Sequence, residues 1–259
     1  MINRIMGFIP DSVDERDFQF SRIKKNLLKV RNVVKIPTSI DLSNLMSPVR
    51  DQGEIGSCTA FAVSVGLMES IELEHFKTPM INLSPLFLYY NTREYQGAVE
   101  EDSGATLRDA IKTASKLGVC SENLWPYGQD KLFVEPPAAA YREAGNKSFK
   151  INNYYRVSGL KELKQALAAK NPVVLGLMLY ESFQSEKVAE TGVVPMPNTM
   201  KEELLGGHAV CAIGYDDTTS RVLVRNSWGS DWGQKGYFQL PYNYIKNTDL
   251  ASDMWTAVN

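Results

Sequence analysis

The stretch "VRDQGEIGSCTAFAVSVGLMES", Val49 to Ser70, sets a lone cysteine where a glycine-punctuated loop turns into an apolar helix. From Cys58 onward Ala60, Phe61, Ala62, Val63 and Val65 surround the axis, which predicts a centrally buried helix running to about His75. Glu69, Glu72 and Glu74 then predict an amphipathic second half, with Ser57 as the expected N-cap. A thiolate at a helix N-terminus gains from the unpaired N–H groups and the positive end of the helix dipole. That alone rarely activates a cysteine, and a nearby imidazole is the usual second contribution.

The search for that imidazole is short, because the chain has two histidines. His75 lies 17 residues along the same helix, about 25 Å away at 1.5 Å per residue, and is expected to be exposed. His208, in "LLGGHAVCAIGY", opens a predicted strand behind Gly206 and Gly207, which leave room for a group facing a cleft. An imidazole base needs its other nitrogen held, and "RNSWGSDWGQKGYF" offers Asn226, with Trp228 to shield the bond from water. Gln52 and the Cys58 N–H are candidate donors to an oxyanion.

The rest of the chain narrows the class. A net charge of −2 over 259 residues carries no electrostatic footprint for nucleic acid. No run is long and apolar enough to cross a membrane, and the first residues lack an apolar core of signal-peptide length. Cys58, Cys120 and Cys211 are odd in number and match no zinc spacing, so neither a disulfide framework nor a metal site is expected. A cytoplasmic or other reducing compartment follows as the expected setting, with export by a non-classical route left open.

Helices are expected at "LSPLFLYYNTRE", capped by Ser84 with Pro85 in first position, at "TLRDAIKTASKLG", closed by Gly118, and at "SGLKELKQALAAKNP". Strands are expected at 173–179, 208–215, 221–226 and 236–240. The fold class is therefore α+β. A helical lobe at about 50–145 and a β-rich lobe at about 146–250 would enclose a cleft, after a loop-rich approach at Ile36 to Leu45.

"QGEIGSC", "GGHAV" and "NSWGSDWGQKGYF" resemble the three signature blocks of the papain-like cysteine peptidases, family C1. "LSPLFLYY" resembles that family's second helix, and "SGATLRDAIKTASKLGVCSENLWPY" its glycine-bearing substrate strip and the segment after it. The resemblance covers Ile36 to the C-terminus, giving a catalytic domain at 36–259. It implies a two-lobed fold, a helical lobe beside an antiparallel β-barrel-like one. It implies Cys58 as nucleophile, His208 as acid and base, Asn226 as the residue orienting it and Gln52 as oxyanion donor. Gly104, Ser103, Gly207 and Trp228 would contact a peptide or protein substrate, with Leu204, Leu205 or Met68 among the candidates to line a specificity pocket. Neither metal nor organic cofactor is implied, and neither a nucleic-acid nor a membrane partner; a monomer is expected. Ile55 stands where the family commonly has a disulfide cysteine, and Thr59 where it has tryptophan, as in bacterial and viral branches. No second histidine is available for a carboxylate-binding loop, which favours an endopeptidase. The alternatives are a catalytically silent peptide-binding module and an acyl-transferring transpeptidase.

Residues 1–35 form an extension, much shorter than the family's usual inhibitory pro-region. "GFIPDSVDERDFQFS" resembles a segment of some bacterial and viral members. It either lies across the cleft as a lid or packs permanently on the back; Phe8, Ile9, Phe18 and Phe20 as apolar anchors favour the lid. The acids Glu100, Glu101 and Asp102 read as a solvated loop, which at the cleft rim would favour basic substrates. Cys211, in an apolar run, reads as packing.

Overall fold

The computed structural model describes residues 4–76, 81–146 and 149–258, the side chains of 75 and 76 excepted, so the exposure expected of His75 lies outside the described residues. In chain order come β1 (Phe8–Ile9), α1 (Lys24–Val30), β2 (Ser39–Asp41) and α2 (Cys58–Ala60). A π-helical stretch, Phe61–Met68, runs straight on into α3 (Glu69–Phe76). Then follow α4 (Pro85–Gln96), β3 (Ala105–Thr106), α5 (Leu107–Lys116), α6 (Ala138–Ala144), β4 (Asn153–Arg156) and α7 (Gly159–Ala168). The chain closes with β5 (Val173–Tyr180), α8 (Glu186–Thr191), β6 (Leu204–Asp216), β7 (Arg221–Arg225), β8 (Tyr237–Pro241), α9 (Tyr242–Lys246) and β9 (Ala251–Val258).

An antiparallel sheet in the order β4-β9-β5-β6-β7-β8 carries the second lobe, with β2 added to β6. The sheet thus takes in Ser39–Asp41, expected as loop, and runs to Val258, past the end expected near 250. α2 and the π-helical stretch pack against β6, which brings the start of the central helix to the start of the strand carrying His208.

The central helix departs from the regular α-helix expected. All eight residues from Phe61 to Met68 are buried, and the Ser64 hydroxyl donates to the Ala60 carbonyl at 2.6 Å. That carbonyl is the acceptor an α-helix reserves for the Ser64 N–H, so the side chain competes with the regular ladder and favours a wider turn. Gly66 is required here by close approach, since a Cβ would lie 2.7 Å from the Cβ of Cys211. Cys211 is packing, as read. Glu69, expected in the amphipathic half, is fully buried and paired with Arg50 at 2.5 Å.

The caps at the other helices follow the sequence. Ser84 Oγ accepts from Phe87 N at 3.1 Å with Pro85 in first position, and α5 ends just before Gly118, whose φ is +89°. Ser57 differs: it sits at the N-cap of α2 without capping it. Its hydroxyl meets Tyr127 Oη at 2.6 Å, and that hydroxyl donates to the Gln52 carbonyl at 2.8 Å.

The extension falls into two parts. From Asp11 to Arg31 it is bolted across α5, α7, β4 and β9. Asp17 takes a bidentate pair from Arg108 at 3.0 and 2.7 Å, and Asp11 accepts from Arg156 at 2.9 Å and from Trp255 Nε1 at 3.0 Å. Phe20 is fully buried, and Lys24 and Arg31 pair with Glu162 and Glu74. Residues 4–9 instead run between the lobes, where β1 pairs with β3 in parallel. Of the four apolar anchors, Phe8 and Phe20 are buried, whereas Ile9 and Phe18 are exposed.

Candidate active site

Cys58 begins α2 and is wholly buried, its Sγ accepting from the Ala209 N–H at 3.4 Å. That contact holds the sulfur against the strand position next to His208. His208 Nε2 lies 2.8 Å from Asn226 Oδ1, while Nδ1 is buried and has no partner among the described residues. Asn226 Oδ1 accepts from the Ser227 N–H as well, at 2.9 Å, which fixes the amide so that oxygen, not nitrogen, faces the ring. The Trp228 ring covers the imidazole with centroids 4.9 Å apart, and is itself held edge-on by Phe183 and Trp232. Water is thereby kept from the His208–Asn226 bond.

Gln52 is fully buried in the loop before Cys58. Its Oε1 accepts from Ser227 Oγ at 2.6 Å and its Nε2 donates to the Ile55 carbonyl at 2.9 Å. Nε2 has two hydrogens, so a second donor remains beside the thiol loop.

The side chains around this group include several that the sequence did not single out. Asp102 is no bystander in a solvated loop: its carboxylate accepts the Gly56 N–H at 3.0 Å and the Tyr89 hydroxyl at 2.5 Å. Tyr89 Oη in turn accepts from the Gly104 N–H at 2.9 Å. A hydrogen-bonded bridge thus ties the turn leading to Cys58 to Gly104, just before β3. Glu100 and Glu101 remain exposed, as read.

Residues 4–9 occupy the groove that these groups line. Gly7 passes beside Cys58, its N–H near enough to favour a charged sulfur, and the Gly7 carbonyl accepts from Ala105 N at 2.8 Å. The fit needs glycine on both sides. A Cβ on Gly7 would lie 1.7 Å from the Gly56 oxygen, and one on Gly104, whose φ is +75°, would lie 2.4 Å from the Gly7 oxygen. Phe8 fills the room left by Gly176 and Gly207, whose added Cβ atoms would meet its ring at 2.0 and 2.9 Å. Of the expected substrate contacts, Gly104, Gly207 and Trp228 therefore adjoin residues 4–9, which form a strap over the groove. Ser103 is exposed and its hydroxyl turns back to the Gly104 carbonyl. Leu204 is exposed, whereas Met68 belongs to the core rather than to a pocket wall.

Covered in this way, the two titrating groups are pushed towards neutrality. Burial drives the Cys58 thiol up to about 11, against the smaller pull of the Ala209 and Gly7 N–H groups. Burial drives His208 down to about 4, opposed by its bond to Asn226 and helped by the charge of Arg4. With the strap in place the pair is a thiol and a neutral imidazole at pH 7.

A family model described as papain family cysteine protease matches residues 36–258. A peptidase C1-like protein of Acanthamoeba polyphaga mimivirus is 38% identical over 98% of this chain and 86% of its own length. Cathepsin K of Gallus gallus is 30% identical over 84% of this chain, which spans 63% of that protein. Among solved structures, xylellain, a cysteine protease from Xylella fastidiosa, superposes with a TM-score of 0.86 at 36% identity, covering 97% of this chain and 95% of its own. A Carica candamarcensis cysteine protease in complex with E-64 superposes at 0.65 with 26% identity, over 86% of this chain and 99% of its own.

Proposed function

This chain belongs to the papain family of cysteine proteases and is a cysteine-type peptidase; from that premise we propose that Cys58, His208, Asn226 and Gln52 perform its chemistry, as an endopeptidase whose own residues 4–9 hold the cleft shut. The observation that carries the assignment is the 2.8 Å bond from Asn226 to His208 Nε2, which leaves Nδ1 free to exchange a proton with Sγ.

In the uncovered site the thiol proton passes to Nδ1, and Sγ attacks the carbonyl carbon of the peptide. The carbonyl π electrons move to oxygen, which the Cys58 N–H and the second Gln52 Nε2 hydrogen receive. The C–N bond breaks as the imidazolium gives its proton to the leaving amine, and the acyl group stays on sulfur as a thioester. Water then loses a proton to the imidazole and attacks the thioester, releasing the acid and the thiolate. Asn226 keeps the ring aimed through both halves, and as a neutral amide it does not quench the imidazolium.

The strap is an inhibitor and not a substrate because of what it presents to the sulfur. Gly7 offers Sγ an N–H, while its carbonyl is engaged by Ala105 N. With β1 running parallel to β3 and this carbonyl already taken, the segment caps the thiol without being cut. The anchor from Asp11 to Arg31, in which Asp17, Phe20 and Leu27 are buried, supports displacement of the strap alone, not loss of the whole extension. Three unpaired cysteines suit a reducing compartment, where we place the activity.

Interior cleavage of a terminally blocked, internally quenched peptide tests the function. The expected result is internal cuts by the full-length chain opened by Gly7→Ala, abolished by adding Cys58→Ser or His208→Ala, with hydrolysis products even when an amine acceptor is added. Undiminished cleavage by Cys58→Ser, or removal of terminal residues only, overturns it.

A further inference from the structure

Arg4 enters the cleft with its guanidinium inside a ready-made set of acceptors. Nη1 bonds Asp51 Oδ1, Nη2 bonds Asp51 Oδ2 at 3.0 Å, and the Gly53 and Trp228 carbonyls complete the set at 3.3 and 3.4 Å. The Trp228 ring centroid lies 5.9 Å from Cζ. The acceptors do not depend on Arg4 for their placement. Asp51 Oδ1 is held by the Gly53 N–H at 2.8 Å, and Asp51 bridges to Trp228 through the backbone. A planar, forked cation matches this bidentate carboxylate, two carbonyls and aromatic face better than a point charge does.

The position of the cradle says which part of a peptide would use it. Phe8–Ile9 pair with Ala105–Thr106 on one side of Cys58, and Arg4 lies three residues before Gly7, about 10 Å away in extended chain on the other side. On the reading under "Proposed function", the Gly104 side receives the acyl portion of a substrate, so the cradle serves the leaving-group portion.

We propose that Asp51, with the Gly53 and Trp228 carbonyls and the Trp228 ring, is a substrate subsite for arginine within the first three residues after the scissile bond, which Arg4 occupies in the closed state. The preferred substrates are then peptides and proteins carrying arginine just downstream of the cut. The basic preference comes from Asp51, not from the Glu100–Asp102 loop. Such a substrate also competes with Arg4 for its own seat, so binding and opening are coupled.

The inference rests on the peptidase reading, and the test separates the two. The full-length Arg4→Ala/Gly7→Ala chain is offered peptides with arginine or citrulline at the first, second or third leaving-side position. In parallel, leaving-side tripeptides with the same substitutions are titrated calorimetrically into that chain carrying Cys58→Ala. Citrulline keeps the shape and removes the charge. The expected result is a preference for arginine of about 10- to 100-fold at one position, in kcat/KM and in Kd alike. It disappears in Asp51→Asn and returns in part in Asp51→Glu. Equal handling of arginine and citrulline at all three positions, or a preference that survives Asp51→Asn, overturns the subsite. Selective binding without cleavage leaves the subsite standing and overturns the peptidase roles.

Discussion

Replacing Gly7 by alanine should open the cleft, and the size of the effect follows from the contacts. The new Cβ would sit 1.7 Å from the Gly56 oxygen and 2.3 Å from its carbonyl carbon. Ordinary contact requires about 3.5 Å, so something must move by roughly 1.5–2 Å. Gly56 is fixed, because Asp102 holds its N–H and its turn leads into α2. The strap is what yields. A shift of that size breaks the bond from Ala105 N to the Gly7 carbonyl, about 1 kcal/mol. It also lifts Phe8 part-way out of the space over Gly176 and Gly207, and full burial of such a ring contributes about 1.5–3 kcal/mol. The sum, about 1–4 kcal/mol, corresponds to roughly 5- to 1,000-fold more open chain. The assay is the second-order rate of Cys58 alkylation by an epoxysuccinyl peptide, followed by intact mass, with Phe18→Ala as the control because that exposed side chain lies outside the groove. A Gly7→Ala chain that melts like the native one yet labels at the native rate refutes the reasoning.

Acid should also loosen the strap. Burial, to which the strap and the charge of Arg4 add, pushes His208 down to about 4, so the closed form excludes a proton that the open form binds more readily. The closure free energy is therefore greatest near neutral pH and falls as acid protonates the open form, down towards pH 4. The thiol has the opposite sign: raised to about 11 from 9.0, it weakens closure above pH 9. Amide exchange at residues 4–9, corrected for intrinsic rates, should be slowest between these limits; a profile flat from pH 7 to 5 contradicts this. Asp102→Ala should lower kcat about 10-fold or more with a smaller change in KM, because it frees the turn before the nucleophile; a native kcat in steady-state assays counts against the bridge. Phe20→Ala should cost about 3–5 kcal/mol of stability in denaturant unfolding, as for a fully buried core ring. A loss under 1 kcal/mol, on the order of a surface change, would mean that the anchor is loosely docked.

What the sequence disclosed was the part whose chemistry dictates residue type. With two histidines, one on the nucleophile's own helix, His208 was reached by elimination, and Asn226 by the need to hold its ring. Helix caps built from adjacent residues, such as Ser84 with Pro85, were equally legible. Features decided by distant partners were not. Ser57 looked like a cap, but a tyrosine 70 residues on takes its hydroxyl. Glu69 looked solvated, yet Arg50 accompanies it into the core. "ASDMWTAV" carries no clear alternation, and its pairing with β4 and β5 makes it a strand. Nothing local in "RIMGFIP" tells that Gly7 must pass against Gly56, because that requirement belongs to a contact between segments about fifty residues apart.

The central claim is that Cys58 forms a thioester under control of His208. Its most direct measurement is acid quench of the full-length Gly7→Ala chain during turnover of an activated peptide ester, followed by peptide mapping. The account predicts an acyl mass on Cys58 that hydroxylamine removes and that His208→Ala abolishes. Turnover at the native rate with no acyl mass on Cys58, or the same adduct at the same rate in His208→Ala, would contradict it.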